Sequence, residues 1–230
     1  MIELDNPVWH ALGGPHRHLA HGSGDTRWYP GDIAPFVAIP HPEVVPALDA
    51  AAALGLEHPF YFVGTIPASI PGGWDVLARG WILQLLPASP DQAPSSEEDI
   101  QVLTAVDAPR MLALMQIGFP DFFRERTAEL GEYVGIPDGA VLAAMAGERL
   151  ALAGWQEISG VCTHPQYVGR GYARRLTQAL MRRQRRRGAR SFLHVSEENA
   201  PARRLYASMG FVERARLAIA KIARRPHESR

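Results

Sequence analysis

The chain has one cysteine and one lysine in 230 residues, its acidic and basic side chains cancel, and none of its apolar stretches is long. The single thiol, Cys162, excludes an intramolecular disulfide and any multi-cysteine metal centre. Zero formal charge at pH 7 removes a general attraction to polyanions or anionic lipid. No segment approaches the ~18 unbroken apolar residues of a membrane span, and Met1 to Asp5 lacks the basic start and apolar core of a secretion signal. The expectation is a cytoplasmic protein with no membrane partner. The scarcity of lysine is matched by 23 arginines spread over the whole chain, which reads as compositional bias before it reads as guanidinium chemistry.

The informative stretch runs from Val161 to Gly188. Ile158, Val161 and Thr163 lie in a short apolar segment that stops at Pro165, as a strand ending in a turn does. Gly169 and Gly171 follow. Lacking a Cβ, they let successive backbone N–H groups curl inward, and the next helix adds its unpaired N–H groups and positive dipole end. Ala173, Leu176 and Leu180 give that helix its apolar face, and Gly188 is placed to end it. The result is a cradle for a pyrophosphate. It is not a Walker A loop, because Gly171-Tyr172-Ala173 stands where Gly-Lys-Ser/Thr is required. A dinucleotide fingerprint would need a third glycine at Arg174, so that reading is weak too.

A second pattern follows downstream. Ser191 to Val195 reads as a strand, and Asn199-Ala200-Pro201 opens a helix with a capping asparagine and a proline in its first turn. Ala202, Leu205, Tyr206 and Met209 form its apolar face before Gly210.

Val168 to Ala173, after a strand and His164-Pro165, resembles the acetyl-CoA loop Gln/Arg-x-x-Gly-x-Gly/Ala of the GNAT superfamily of N-acyltransferases. Asn199 to Phe211 resembles the second motif of that superfamily, Asn-x-x-Ala-x-x-Leu-Tyr-x-x-x-Gly-Phe. Val168 departs from the usual arginine or glutamine, while Gly171 and Ala173 fill the two small positions. The resemblance spans roughly residues 100 to 222, and Gly147 to Arg149 and Glu157 to Pro165 are similar to the branch related to glycine N-acyltransferases. It implies an α/β (α+β) fold with a mixed, mostly antiparallel central sheet flanked by helices. It also implies acetyl-CoA as cosubstrate, no metal, and transfer of acetyl to a primary amine of a small molecule or amino acid in a ternary complex.

The expected order within residues 100–222 is β-α-α-β-β-β-α-β-α-β. Strands are expected at Ile100 to Val106, Glu132 to Ile136, Ala140 to Glu148 and Leu217 to Ile222, with helices at Ala108 to Ile117 and Asp121 to Glu129. Pro137-Asp138-Gly139 supplies a turn. Residues 87–99, rich in proline, serine and acid, read as a linker, and residues 223–230 as a loose tail. Residues 1–86 carry more than half of the 19 prolines and six of the nine histidines. They read as a smaller α/β region of unassigned role. Strands are expected there at Phe36 to Ile39, Phe60 to Val63 and Trp81 to Leu86, and a helix at Val44 to Leu54. His16, His18 and His21 lie close together without a cysteine or carboxylate at zinc-finger spacing, so they read as solvated or helix-end residues.

Acyl transfer needs a positioned thioester, a polarised carbonyl, an unprotonated amine and a proton for the departing thiolate. The resemblance assigns pantetheine and the acyl oxygen to backbone groups of Val161, Cys162 and Thr163. It assigns the phosphates to Val168, Gly169, Arg170, Gly171, Tyr172, Ala173 and Arg174, with Asn199 as cap and coenzyme contact. A glutamate at the position of Glu157 resembles the family's general base, and strand alternation puts it on one face with Ser159 and Val161 and leaves Cys162 opposite. Glu148 and His164 are alternative bases, and a strand-edge carboxylate or acceptor contact is the plainer reading of Glu157. Tyr206 occupies the family's general-acid position, and its bland alternative is a core tyrosine.

Two other classes compete. One is a non-catalytic acyl-CoA-binding or regulatory domain. The other is a nucleic-acid surface, suggested by nine arginines and no acid between Arg170 and Arg190. Interleaved aromatics and a recognised nucleic-acid module are missing, so a solvated helix face with some coenzyme contacts is preferred. The sequence leaves a homodimer open.

Overall fold

The computed structural model describes residues 2–55, 59–89, 97–118, 120 and 122–225. The N-terminal part contains α1 (Pro7–Gly13), the short strands β1 (His21–Ser23), β2 (Thr26–Trp28) and β3 (Val37–Ala38), α2 (Leu48–Ala53), β4 (Phe60–Val63) and β5 (Trp74–Pro87). Then come β6 (Gln101–Leu103), α3 (Ala108–Gly118), β7 (Tyr133–Asp138), β8 (Val141–Leu152), β9 (Trp155–Thr163), α4 (Tyr172–Arg186), β10 (Arg190–Ser196), α5 (Ala200–Ser208) and β11 (Phe211–Arg224). Strands β1, β2 and β3 form a small sheet, and the other eight form a second sheet in the order β4-β11-β5-β10-β9-β8-β7-β6.

This order changes the expected division of the chain. β4 and β5 lie upstream of residue 87, yet both pair with β11, whose 14 residues run along β5 from Phe211 against Pro87 to Arg224 against Trp74. The N-terminal region therefore supplies two strands of the main sheet and is no separate half-domain. β5 begins at Trp74, seven residues before the expected start at Trp81, through a stretch in which Leu77, Ala78 and Arg79 are all exposed, so no alternation marks it.

From β6 onward the expected order holds, with one exception. Thr127–Leu130 is a 3-10 turn where a second helix is expected, and Asp121, the first residue of that expected helix, lies outside the described residues. Of the expected linker at 87–99 and tail at 223–230, residues 90–96 and 226–230 also lie outside them, while Pro87 is the last residue of β5 and Ala223 and Arg224 are the last of β11.

Helices cover both faces of the large sheet. Leu176, Ala179 and Leu180 of α4 and Tyr206 of α5 pack with Val134, Ile158, Leu193 and Val195 on one face. On the other, Met111, Leu114 and Met115 of α3 pack with Tyr133, Met145 and Cys162. Val8, Ala11 and Leu12 of α1 pack there with Tyr29, Phe36, Leu150 and Phe192. No described helix is long and apolar enough to cross a membrane.

Candidate active site

β9 and β10 are the parallel pair of the large sheet, and their pairing is brief. Arg190 to Leu193 lie beside Trp155 to Ile158, after which β10 pairs only with β5 and β9 only with β8. Beyond Ile158 and Leu193 the facing edges of β9 and β10 are unpaired, and the gap leaves backbone groups without ladder partners. A cavity of about 690 Å³ occupies this gap. Ile158, Ser159, Gly160 and Val161 form one wall, and His194 to Asn199 with Ala202 and Tyr206 form the facing wall. The far end is aromatic, lined by Phe36, Tyr61, Phe122, Phe123 and Tyr133, with Arg149, Lys221 and Thr127 among them.

Gly160 decides which side chains face which wall. Its φ of +58° marks a bulge, seen in the register as Met145 opposite Cys162 but Gly147 opposite Ser159. The extra residue reverses the alternation. Val161 consequently packs with the α4 cluster and Cys162 with the α3 cluster, on the sheet face that also carries Glu157. This corrects the expected placement of both. Cys162 is buried, its thiol is pushed up by burial, and its Sγ lies 3.7 Å from the Leu114 carbonyl, so it has no feature of a nucleophile.

The glycine loop has the conformation its sequence required. Gly169 and Gly171 have φ of +86° and +74°, and a Cβ on either would meet nothing within 4 Å, so backbone shape and not crowding selects glycine. Gly171 is the N-cap of α4 and makes no side-chain cap, so the first N–H groups of Tyr172, Ala173 and Arg174 remain for another acceptor. Val168 is 69 % exposed, and the Arg170 guanidinium lies 4.9 Å from the Tyr167 ring. Arg174 is directed to Ser208, with Nη2 2.6 Å from Oγ. Asn199 caps α5 by accepting from Ala202 N at 3.1 Å and lines the cavity as well. These donors, the open backbone at Val161 to Thr163 and the cavity between the strands fit a long phosphorylated thioester.

Four further arginines of α4 and its C-cap are paired. Arg182 bonds Glu97 at 2.8 Å, Arg187 bonds Glu132 at 3.0 Å, Arg175 bonds Asp99 at 3.0 Å and Arg183 is paired with Glu132. The charge-rich run is in large part an ion-pair seam between helix and neighbouring segments.

Tyr206 lines the cavity and takes no protein hydrogen bond among the described residues. Burial pushes its phenol up to about 12, so it holds its proton at neutral pH. Glu157 sits one layer behind the wall, with no exposed surface. Arg149 donates to it through Nε at 2.9 Å and Nη2 at 2.6 Å, Leu150 N donates at 3.2 Å, and His194 Nδ1 lies at 2.7 Å. Burial alone would raise this carboxyl, but the Arg149 charge and the hydrogen bonds from His194 and Arg149 outweigh it and hold it well below the usual carboxylate range. The cavity is faced by Arg149 and His194 instead, two residues to which sequence reasoning gave no role. Strand alternation carried no signal for them, since each becomes a wall residue only through the gap and the bulges. Glu148 is buried against Arg187 and Glu132 N, and His164 is a turn cap accepting from Gln166 N at 3.3 Å; neither lines the cavity. The His16 and His18 rings meet edge-on at 6.4 Å, and each of the three N-terminal histidines has a protein partner. His16 is buried 2.8 Å from the Tyr29 hydroxyl, His18 lies against Pro15 O, and His21 stacks on Trp28.

Residues 133–219 match the family model described as FR47-like protein. A crystal structure of a protein from Novosphingobium aromaticivorans assigned to the GNAT family of acetyltransferases is 32 % identical, with a TM-score of 0.84 over 97 % of this chain and 99 % of that one. A GCN5-related N-acetyltransferase from Kribbella flavida shares the fold at 16 % identity, with a TM-score of 0.61 over 95 % of each chain. No curated protein sequence matches. The separated strand pair, the glycine loop at the start of α4 and the full-length likeness at 32 % identity place this chain in the GNAT family of acetyltransferases.

Proposed function

We propose that the protein transfers acetyl from acetyl-CoA to a primary amine of a small molecule or amino acid, by direct attack in a ternary complex. The cavity between β9 and β10 carries this reading, because it runs from Asn199, Ala202 and Tyr206 on the α5 side to the aromatic end lined by Phe36, Tyr61 and Phe122. The first N–H groups of α4 and the 169–171 loop hold the pyrophosphate. Backbone groups of Val161 to Thr163 bind the pantetheine arm and polarise the acyl oxygen. The Tyr206 hydroxyl donates to the departing sulfur.

Phe36, Tyr61 and Phe122 suit an acceptor with an apolar or aromatic body, and the likeness of Glu157 to Pro165 to the glycine N-acyltransferase branch adds amino acids to the candidates. Glu157 is recast from proton acceptor to anchor, because its four donors leave no free lone pair toward the cavity and its carboxyl is held ionised. The amine then reacts from its unprotonated fraction, about one molecule in a thousand at neutral pH for an ordinary alkyl amine. The ion pairs along α4 support small molecules over nucleic acid as partners.

The deciding experiment measures the unfolding midpoint with acetyl-CoA, using ATP and NADH as controls. At ~100 times its dissociation constant a ligand adds about 2.7 kcal/mol, a rise of roughly 5–10 °C for a chain of this size. A rise with acetyl-CoA alone justifies a thiol-release screen over phenethylamine, glycine and phenylalanine. Absence of a rise removes the acetyltransferase reading, and a rise without turnover on any amine favours a non-catalytic acyl-CoA-binding role.

A further inference from the structure

Gln84, in the middle of β5, is fully enclosed, and both ends of its amide are engaged. Its Oε1 accepts from Arg214 Nη1 at 2.7 Å, its Nε2 donates to the Leu4 carbonyl at 2.8 Å, and the same Nε2 lies 3.0 Å from His194 Nε2. A guanidinium only donates and a carbonyl only accepts, so one orientation of the amide satisfies both neighbours. The second N–H of Gln84 then points at His194 Nε2, which must accept it and carries no proton. The ring proton belongs on Nδ1, where Glu157 Oε1 accepts it at 2.7 Å. The series extends to the surface, because Arg214 Nη2 also donates to Asp5 Oδ1 at 2.6 Å. Asp5, Arg214, Gln84, His194, Glu157 and Arg149 thus form one line from the N-terminal segment to the cavity wall.

We propose that Gln84 is a positioning residue for acceptor binding: its N–H keeps His194 an uncharged donor to Glu157, so His194 adds no further cation to a cavity lining in which Glu157 balances Arg149 and which already carries Arg79 and Lys221 beside Glu197 and Glu198. The inference rests on the amine-acetylating reading. A primary amine is a cation in water at neutral pH, and an imidazolium in this wall would repel it as it enters. The ring has little freedom to escape this control. Its side chain is 3 % exposed, and the Phe192 ring packs edge-on at 5.6 Å.

The test uses the full chain labelled with ¹⁵N-histidine at pH 7.5, with the His194 signal assigned by its loss in His194→Gln. In the unsubstituted protein, long-range ¹H–¹⁵N spectra should show a proton on Nδ1 and a lone pair on Nε2. Gln84→Glu replaces the donor facing Nε2 with an acceptor, so both ring nitrogens should become protonated. The KM for phenethylamine should rise at least tenfold, while the midpoint shift with acetyl-CoA is retained. A proton on Nε2 in the unsubstituted protein overturns the proposal, and that measurement stands even if Gln84→Glu fails to fold. A folded Gln84→Glu protein with unchanged amine KM overturns it as well. Failure of the unsubstituted protein to bind acetyl-CoA is a separate result, which removes the acetyltransferase reading and leaves the tautomer assignment standing.

Discussion

The Arg149 guanidinium holds the Glu157 carboxylate at both oxygens, Nε to Oε2 at 2.9 Å and Nη2 to Oε1 at 2.6 Å, inside a site where Glu157 has no exposed surface. The two strands that carry them are adjacent in the sheet, and the pair forms the floor on which the cavity wall rests.

Neutralising one member of this pair strands the other. Glu157→Gln leaves a largely buried guanidinium without its counter-charge, at a cost of about 3–5 kcal/mol, so the unfolding midpoint should fall by roughly 6–20 °C. Acetylation of phenethylamine should drop at least tenfold, and the slope of rate against pH should match that of the unsubstituted enzyme. Recovery of the variant alone at high pH would return the base role to Glu157.

Tyr206→Phe removes one hydroxyl from the cavity and leaves the ring, which packs edge-on against Phe211 at 5.7 Å. Turnover should fall more than tenfold, with acetyl-CoA affinity held within about a factor of three, because the hydroxyl matters when charge develops on sulfur. Equal turnover in the two proteins would make Tyr206 a packing residue.

Gly147 has no room for a side chain: a Cβ there would lie 2.1 Å from Cδ1 of the Tyr133 ring. Gly147→Ala should cost about 1–3 kcal/mol as the ring is forced aside. Because Tyr133 lines the aromatic end of the cavity, the amine KM should rise while the acetyl-CoA midpoint shift persists. A crystal structure of the variant with Tyr133 unmoved would contradict the argument.

His16 links stability to pH. Burial, with the neighbouring His18 second, lowers its pKa from the ordinary 6.5 to about 4 against smaller opposing contributions from Leu130 and Glu157. The folded state therefore binds fewer protons than the unfolded state between those values, so this contribution is complete above pH 6.5 and is lost as pH falls toward 4. It amounts to about 3 kcal/mol. His16→Gln should lower stability at pH 7 and flatten the fall between pH 7 and 4, as urea unfolding at four pH values would show. Parallel curves would mean that His16 titrates alike in the folded and unfolded states.

The sequence by itself determined what depends on neighbours along the chain. The glycines at 169 and 171 need a left-handed backbone, Asn199 and Pro201 start a helix, and the apolar spacing of Leu176 and Leu180 gives that helix a buried face; each follows from local sterics and period. The two motifs they build are sufficient to recognise the family and the order of elements from β6 onward. Tertiary structure decided the rest. β4 and β5 join the sheet because β11 is long enough to cover them, which no local pattern states. One extra residue at Gly160 exchanges the faces of Val161 and Cys162, since strand alternation preserves no memory across a bulge. Glu157 is enclosed by Arg149 and His194, and His194 is controlled by Gln84, Leu4 and Arg214 across separations of 80 to 130 residues. Hydrogen-bond partners that distant meet only when the strand order brings them together, so the chemistry of the cavity wall belongs to the folded sheet.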